Sequence, residues 1–354
     1  MLQTKQIQEL LGKDSTLLEF SSPNINKKMI TTPTPNVVDN IFLSSSRNNR
    51  VLGNLNRLYN SGHLSGTGYL LILPVDQGIK HSAEASFAKN PIYSDAENII
   101  KFALSTGCNG IASTLGVLGT VSRKYAHKIS FIVKLNHNEL LTSPSTFDQI
   151  LFTSVDQAYN MGAVGIGATI CFDSTKSESQ IAEISKIFDY AHRKGLFTIL
   201  WCYLRNSNFK RNKNYHASAD LTDQANHLDV TIEADIIKQK LPEKNDGYKA
   251  LNADRKKLGK YEQIYSELSS DNPIDLARCQ LLNNYAGRIP LINSGGASVD
   301  NDIADAVRTA IINKRAGGSG LILRRKTFQK PFEEGVSIVE AVQSVYLDEK
   351  ITIA

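Results

Sequence analysis

Eight short apolar runs, separated by stretches long enough to hold a helix each, constrain this chain more than any other feature. The runs are YLLILPV (69–75), GIAS (110–113), ISFIVKL (129–135), VGIGATI (164–170), FTILWCYL (197–204), ADIIK (234–238), IPLIN (289–293) and GLIL (320–323). They are β-branched and apolar on both parities, as parallel strands covered on both faces must be. Between them the spacing predicts helices over 94–106, 147–162, 177–195, 273–287 and 299–318, several ending on Gly, which suits a left-handed helix terminus. A doubly wound sheet would want a GxGxxG turn after its first strand, and YLLILPVDQGIKHSA has none. The expected fold is therefore a TIM (β/α)8 barrel over 67–354. Residues 1–66, rich in Ser, Asn, Thr and Pro, form an irregular N-terminal extension with one early helix that wraps the outside or the bottom of the barrel.

Composition removes other classes. The chain of 354 residues is 41% apolar and 21% charged, within globular norms. Forty Lys and Arg against 35 Asp and Glu give a net charge of +5, spread along the chain, which favours anionic ligands slightly and does not argue for nucleic acid. Cys108, Cys171, Cys202 and Cys279 stand far apart and form neither a zinc nor a disulfide pattern, so a reducing cytoplasm is the expected location. No run approaches the ~18 apolar residues of a membrane span, and no membrane partner is expected. His81, His137, His216 and His227 show no metal-ligand spacing, so neither a metal nor another cofactor is expected.

In a (β/α)8 barrel the polar residues at the C-terminal strand ends are candidates for chemistry. Here they are Asp76; Lys134, Asn136 and His137; Trp201, Tyr203 and Arg205; Lys238; and Asn293, Ser294, Gly295 and Gly296. The eighth strand is entered through Gly317, Gly318, Ser319 and Gly320 and left through Arg324, Arg325 and Lys326. An amine beside Ile236 and Ile237 sits where desolvation leaves it neutral, and such a lysine can form a Schiff base with a ketone. The competing reading of Lys238 is a side chain reaching out to solvent. Lys240 shares its parity and remains a second candidate, weaker for lying beyond the apolar run. Trp201 and Tyr203 leave their strand on one face, as a wall and a phenolic acid/base, or as ordinary barrel filling. Asp76 alone reads as a strand-end cap, and beside a Schiff-base lysine as a group that tunes it or moves a proton. Glycine turns after the seventh strand and around the eighth, with an arginine close by, suit a phosphate.

These segments in order, namely DQG, VKLNHN, WCYLRN, SADLTDQANHL, ADIIKQK, LINSGGA, AVRTAIINKRAGGSGLIL and YLDEKITIA, resemble the archaeal-type class I fructose-1,6-bisphosphate aldolases, in particular the longer bacterial members. The resemblance covers at least residues 68–354. It implies that Lys238 is the Schiff-base lysine, Tyr203 the proton donor and acceptor, Trp201 a wall of the site and Asp76 its acidic residue. It further implies that Ser294, Gly295, Gly296 and Gly320 lie on phosphate-binding turns, with Arg325 following the eighth strand, and that Lys134 and Asn136 form the polar pair after the third. Two departures stand out. Gln77 replaces the histidine of the usual Asp-His-Gly, and Arg324 replaces a small glycine, placing a long cation where it would tighten phosphate binding or crowd it. The implied activity is metal-independent, reversible cleavage of fructose 1,6-bisphosphate in glycolysis or gluconeogenesis by a homo-oligomer. From the residues alone, the basic loop RNSNFKRNKNYH after the fifth strand would reach the second phosphate through Arg205, Lys210 or Arg211, or its outer cations form a solvated charged loop, the reading favoured for the outer lysines. A Schiff-base synthase acting on another sugar phosphate, a class II metal aldolase and a non-catalytic phosphate-binding scaffold are the alternatives.

Overall fold

In the computed structural model, which describes residues 1–79, 81–141, 146–206, 213–250, 262–296 and 298–354, eight parallel strands close into a barrel. They are β1 (Leu70–Val75), β2 (Gly110–Ser113), β3 (Ser130–Lys134), β4 (Gly165–Phe172), β5 (Phe197–Leu204), β6 (Ile236–Gln239), β7 (Leu291–Ser294) and β8 (Gly320–Ile322). Each pairs with the next in sequence, and closure comes from Leu70, Leu71 and Ile72 of β1 lying opposite Gly320, Leu321 and Ile322 of β8. The eight apolar runs all become barrel strands, with bounds moved by at most two residues.

Period-two alternation divides the core into an inner and an outer part. Leu70, Ile72, Ala112, Ile132, Phe197, Ile199, Ile236, Ile292 and Ile322 fill the interior. Their neighbours Leu71, Leu73, Ile111, Phe131, Val133, Ile166, Leu200, Ile237 and Leu321 face the surrounding helices. Two glycines of β4 make the filling possible. A Cβ on Gly165 would come within 2.3 Å of the Phe197 ring, and one on Gly167 within 2.4 Å of the Trp201 indole. Small residues on one strand thus give room to large ones on the next.

The N-terminal residues complete the core. Beyond the expected early helix (Thr4–Leu11) lies a second, Asn49–Tyr59, begun by the Asn48 side chain accepting from the N–H groups of Arg50 and Val51. Gly53 and two asparagines disguise it in the sequence, yet Val51, Leu55, Leu58 and Tyr59 fall at helical spacing and join the inner core, so this helix closes the N-terminal end of the barrel. Thr4–Leu11 packs instead on the outside, against helices Asp302–Ala316 and Phe332–Leu347. A buried Arg278 donates to the carbonyls of Ile25, Arg315 and Ala316, tying the N-terminal segment to the helical layer.

One expected helix is largely corrected. Of 147–162 only Val155–Asn160 is helical, starting from a capping box of Ser154 and Gln157. Ile150 and Leu151 pair antiparallel with His137 and Asn136 at the barrel mouth, because apolar residues there meet a strand edge rather than a helix groove. The helix from Pro273 stops at Asn283, where Tyr285, Ala286 and Gly287 take positive φ.

At the closed end Asp235 accepts from Arg47 Nε at 2.6 Å and Thr198 N at 2.8 Å, and lies 3.0 Å from His192 Nε2. Burial works against its ionisation, but His192 and Arg47 outweigh burial and hold its carboxyl below the ordinary value. A carboxyl depressed in the folded state stabilises fully above its unfolded value, near 4, and that stability is lost as pH falls through the folded value. Asp235→Asn should cost about 3 kcal/mol at pH 7, in the range for one partner removed from a buried pair. In urea melts the deficit should shrink below pH 4.

Candidate active site

The alternation that places Ile236 inside the barrel places Lys238 inside as well, one layer nearer the mouth, level with Trp201 on β5 and Ile292 on β7. By the same rule Asp76, Lys134, Trp201, Tyr203, Ser294 and Arg324 continue the inward rows of their strands. The top of the barrel is therefore a charged and aromatic layer above an apolar one. Lys238 is 3% exposed, and its Nζ donates to Tyr203 Oη at 3.0 Å. Burial, and then the positive charges of Arg324 and Lys134, pull its pKa below the ordinary lysine value, against the Tyr203 phenol, which favours the charged form. The result is a buried, readily neutral amine in contact with a phenol. Lys240 lines the same cavity, and burial followed by Arg205 and Lys238 brings it down to about 8, but the lysine hydrogen-bonded to the Tyr203 phenol is Lys238.

Asp76 organises the other cations. Its carboxylate accepts from Lys134 Nζ at 2.9 Å and from Arg324 Nη1 at 2.5 Å, and it is 2% exposed. Lys134 Nζ also lies 5.0 Å from the Trp201 ring centroid, a cation–π contact that fixes the indole as a wall. Arg324 thus turns toward Asp76, where the sequence suggested a phosphate contact or an obstruction.

A cavity of about 570 Å³ opens over Lys238, large enough for a sugar bisphosphate. Trp201, Tyr203, Arg205, Lys240, Ser294, Gly295, Gly296, Arg324 and Arg325 line it. Gly296 has φ +73°, the left-handed turn conformation that glycine permits, and Arg325 Nε is buried with no hydrogen-bond partner among the described residues. These groups stand at the C-terminal ends of the neighbouring strands β7 and β8.

Asp76, Lys134, Asn136 and Gly320 are not among the described residues lining that cavity, and two of them are corrected outright. Asn136 Oδ1 accepts from Thr169 N at 2.6 Å while its Nδ2 donates to Thr169 O at 2.8 Å, so its amide is a brace between β3 and β4, not a ligand group. Gly320 opens β8 at the bottom of the barrel, with φ +139° and its missing Cβ only 1.9 Å from Leu70 O. The N–H groups of Gly318, Ser319 and Gly320 are all bonded within the fold, so this glycine run is not an anion turn. Arg205 does line the cavity, its guanidinium 5.0 Å from the Tyr203 ring centroid, whereas Lys210 and Arg211 lie outside the described residues. Among the described residues no three His, Cys, Asp or Glu side chains form a metal-holding group, and no helix is long and apolar enough to cross a membrane.

A closed (β/α)8 barrel with a buried lysine hydrogen-bonded to a phenol beneath an arginine-lined cavity has the construction of an aldolase. Residues 70–330 match the DeoC/LacD family of aldolases. A protein of Chlamydia trachomatis serovar D named probable fructose-bisphosphate aldolase class 1 is 53% identical over 98% of this chain and 99% of its own length. A fructose-bisphosphate aldolase class 1 of Halobacterium salinarum is 25% identical over 83% of this chain and 96% of its own. Among solved structures, a fructose-bisphosphate aldolase from Slackia heliotrinireducens superposes with a TM-score of 0.68 at 19% identity, covering 92% of each chain. A Schiff-base-forming fructose-1,6-bisphosphate aldolase does so with 0.63 at 20% identity, covering 82% of this chain and 99% of its own. The chain belongs to the DeoC/LacD aldolase family and is an enzyme, a lyase of the class 1 fructose-bisphosphate aldolase group.

Removing Arg324 takes one positive charge from beside Lys238 and leaves Asp76 less compensated, and both effects favour protonated Lys238. Arg324→Met should therefore move the acid limb of the kcat/KM profile to higher pH by roughly half a unit or more. An unmoved limb would show that these cations do not tune the amine.

Proposed function

We propose that this enzyme cleaves fructose 1,6-bisphosphate reversibly to dihydroxyacetone phosphate and glyceraldehyde 3-phosphate through a Schiff base on Lys238. The observation that carries the reading is the 3.0 Å contact between the buried Lys238 amine and the Tyr203 hydroxyl under a cavity lined by Ser294, Gly295, Gly296 and Arg325. The neutral amine attacks the C2 ketone, and a nitrogen proton passes to the carbonyl oxygen to give a carbinolamine. Tyr203 protonates the departing hydroxyl, leaving an iminium, a water and a phenolate. The phenolate then takes the proton of the C4 hydroxyl while the C3–C4 bond breaks, its electron pair flowing toward the iminium nitrogen to form an enamine and release glyceraldehyde 3-phosphate. Tyr203 returns this proton to C3, water adds at C2, and breakage of the C2–N bond frees dihydroxyacetone phosphate and restores amine and phenol.

Ser294, the Gly295–Gly296 turn and Arg325 hold the C1 phosphate in this reading, so that binding energy remote from the reaction sets C2 against the amine. Asp76, held by Lys134 and Arg324, acts as a fixed charge that keeps both cations in place rather than as the proton carrier. Arg205 and Lys240 are the cations nearest to hand for the second phosphate.

Borohydride added with dihydroxyacetone phosphate should trap the ketose on Lys238, read as a mass increase on its peptide, and EDTA should leave turnover unchanged. Lys238→Ala should abolish trapping and turnover while the protein still binds the sugar phosphate. Tyr203→Phe should lower kcat by about 10²- to 10⁴-fold, the usual worth of a positioned acid–base group. EDTA-sensitive cleavage without an adduct would overturn the Schiff-base reading, and a higher kcat/KM for a different ketose phosphate would overturn the choice of substrate.

A further inference from the structure

Among the described residues the proposed reaction leaves one cavity-lining cation unused, Arg308, on the helix Asp302–Ala316 that follows β7. It shares that stretch of wall with Thr309 and with the Gly295–Gly296 turn. Its Nε donates to Asp14 Oδ2 at 3.0 Å, a pair in which both side chains are about a third exposed, at 36% and 37%. Among the described residues its two terminal guanidinium nitrogens make no hydrogen bond, so their N–H groups remain available to an anion.

Asp14 is held in place by the N-terminal segment. It lies in the 3₁₀ turn Gly12–Leu18 directly after helix Thr4–Leu11, and both pack on helix Asp302–Ala316 through buried Ile7, Leu11 and Leu17. The carboxylate is thereby a stationary negative charge beside the Arg308 guanidinium. An ion pair this exposed is weak and exchanges its partner at little cost, whereas a phosphate offers a guanidinium two parallel charge-assisted hydrogen bonds.

We propose that Arg308 is a further phosphate-binding cation of this cavity, held by Asp14 until substrate arrives, so that the N-terminal segment sets the affinity for phosphorylated ligands. The inference rests on the sugar-phosphate reading of the cavity and adds to it a residue and a control element. Asp14 occupies the guanidinium that the incoming phosphate would take. Its charge therefore opposes binding, and neutralising it strengthens binding only while Arg308 is present.

The test uses inorganic phosphate and dihydroxyacetone phosphate as probes, titrated calorimetrically into the full-length wild type, Arg308→Met, Asp14→Asn and the double variant, with melting temperatures confirming that each is folded. Arg308→Met should weaken phosphate binding about three- to ten-fold, as expected for one charge-assisted contact. Asp14→Asn keeps an acceptor for Nε and should tighten binding about two- to five-fold, an effect that fades in high salt and disappears in the Arg308→Met background. With fructose 1,6-bisphosphate the same changes should appear in KM, with kcat moved less than twofold. An unchanged phosphate Kd in Arg308→Met overturns the role of Arg308, and an Asp14→Asn effect that survives without Arg308 overturns the coupling. A wild type that fails to cleave fructose 1,6-bisphosphate yet gives the expected phosphate responses overturns only the substrate reading.

Discussion

The top layer of the barrel places three inward cations, Lys134, Lys238 and Arg324, around a single carboxylate, Asp76, and the rest of the site depends on how that imbalance is resolved. The Asp76 carboxylate accepts from Lys134 through one oxygen and from Arg324 through the other. Lys238 is left with a phenol as its partner. A buried ammonium without a carboxylate is costly, and shedding the proton removes the cost. Burial draws the pKa of the amine down first, and the charges of Arg324 and Lys134, which its local sequence does not contain, draw it down further.

Holding these groups in one layer demands that strand register be fixed, since a slip of one residue would turn every inward group out. Gly165 and Gly167 of β4 contribute here. Their missing side chains admit the Phe197 ring and the Trp201 indole, locking β4 to β5 where Lys134 stacks on Trp201. Asn136 adds a second lock by bonding both backbone groups of Thr169. The charged layer can be rigid because the layers beneath it are filled.

Much of this was legible in the sequence because the signals are local. Apolar runs bounded by helical stretches gave all eight strands, and parity alone put Trp201 and Tyr203 on one face. Lys238 stood out because Ile236 and Ile237 flank it. What could not be read were contacts across the barrel. Arg324 read as a cation that tightens or crowds a phosphate site because its neighbour in sequence is Arg325, while its partner in space is Asp76, 248 residues earlier. Gly320 was misplaced for a related reason: a glycine-rich run looks alike at either end of a strand, and only the pairing of Gly320 with Leu70 shows that this one enters the barrel at the bottom. Asn136 follows the strand-end rule in position and breaks it in use, since its amide turns sideways to the next strand. The helix Asn49–Tyr59 was hidden by its polar residues, although its four buried side chains keep helical spacing.

The same long-range logic makes the N-terminal residues part of the barrel. Val51, Leu55, Leu58 and Tyr59 are each at most 1% exposed, and burying them contributes about 2 kcal/mol apiece as an upper estimate. Without them the lowest inner layer, Leu70 and Phe197 included, would face water. The loss would go beyond apolar area. Arg278 would be left without the Ile25 carbonyl and Arg315 without that of Phe20. Asp235 would remain buried without Arg47. A buried charge stripped of its partner destabilises by more than the pair contributed, so the penalty falls on the helical layer and on the start of β6, two residues of chain before Lys238. Closing the bottom of the barrel and holding the amine at its top are linked through that one short strand.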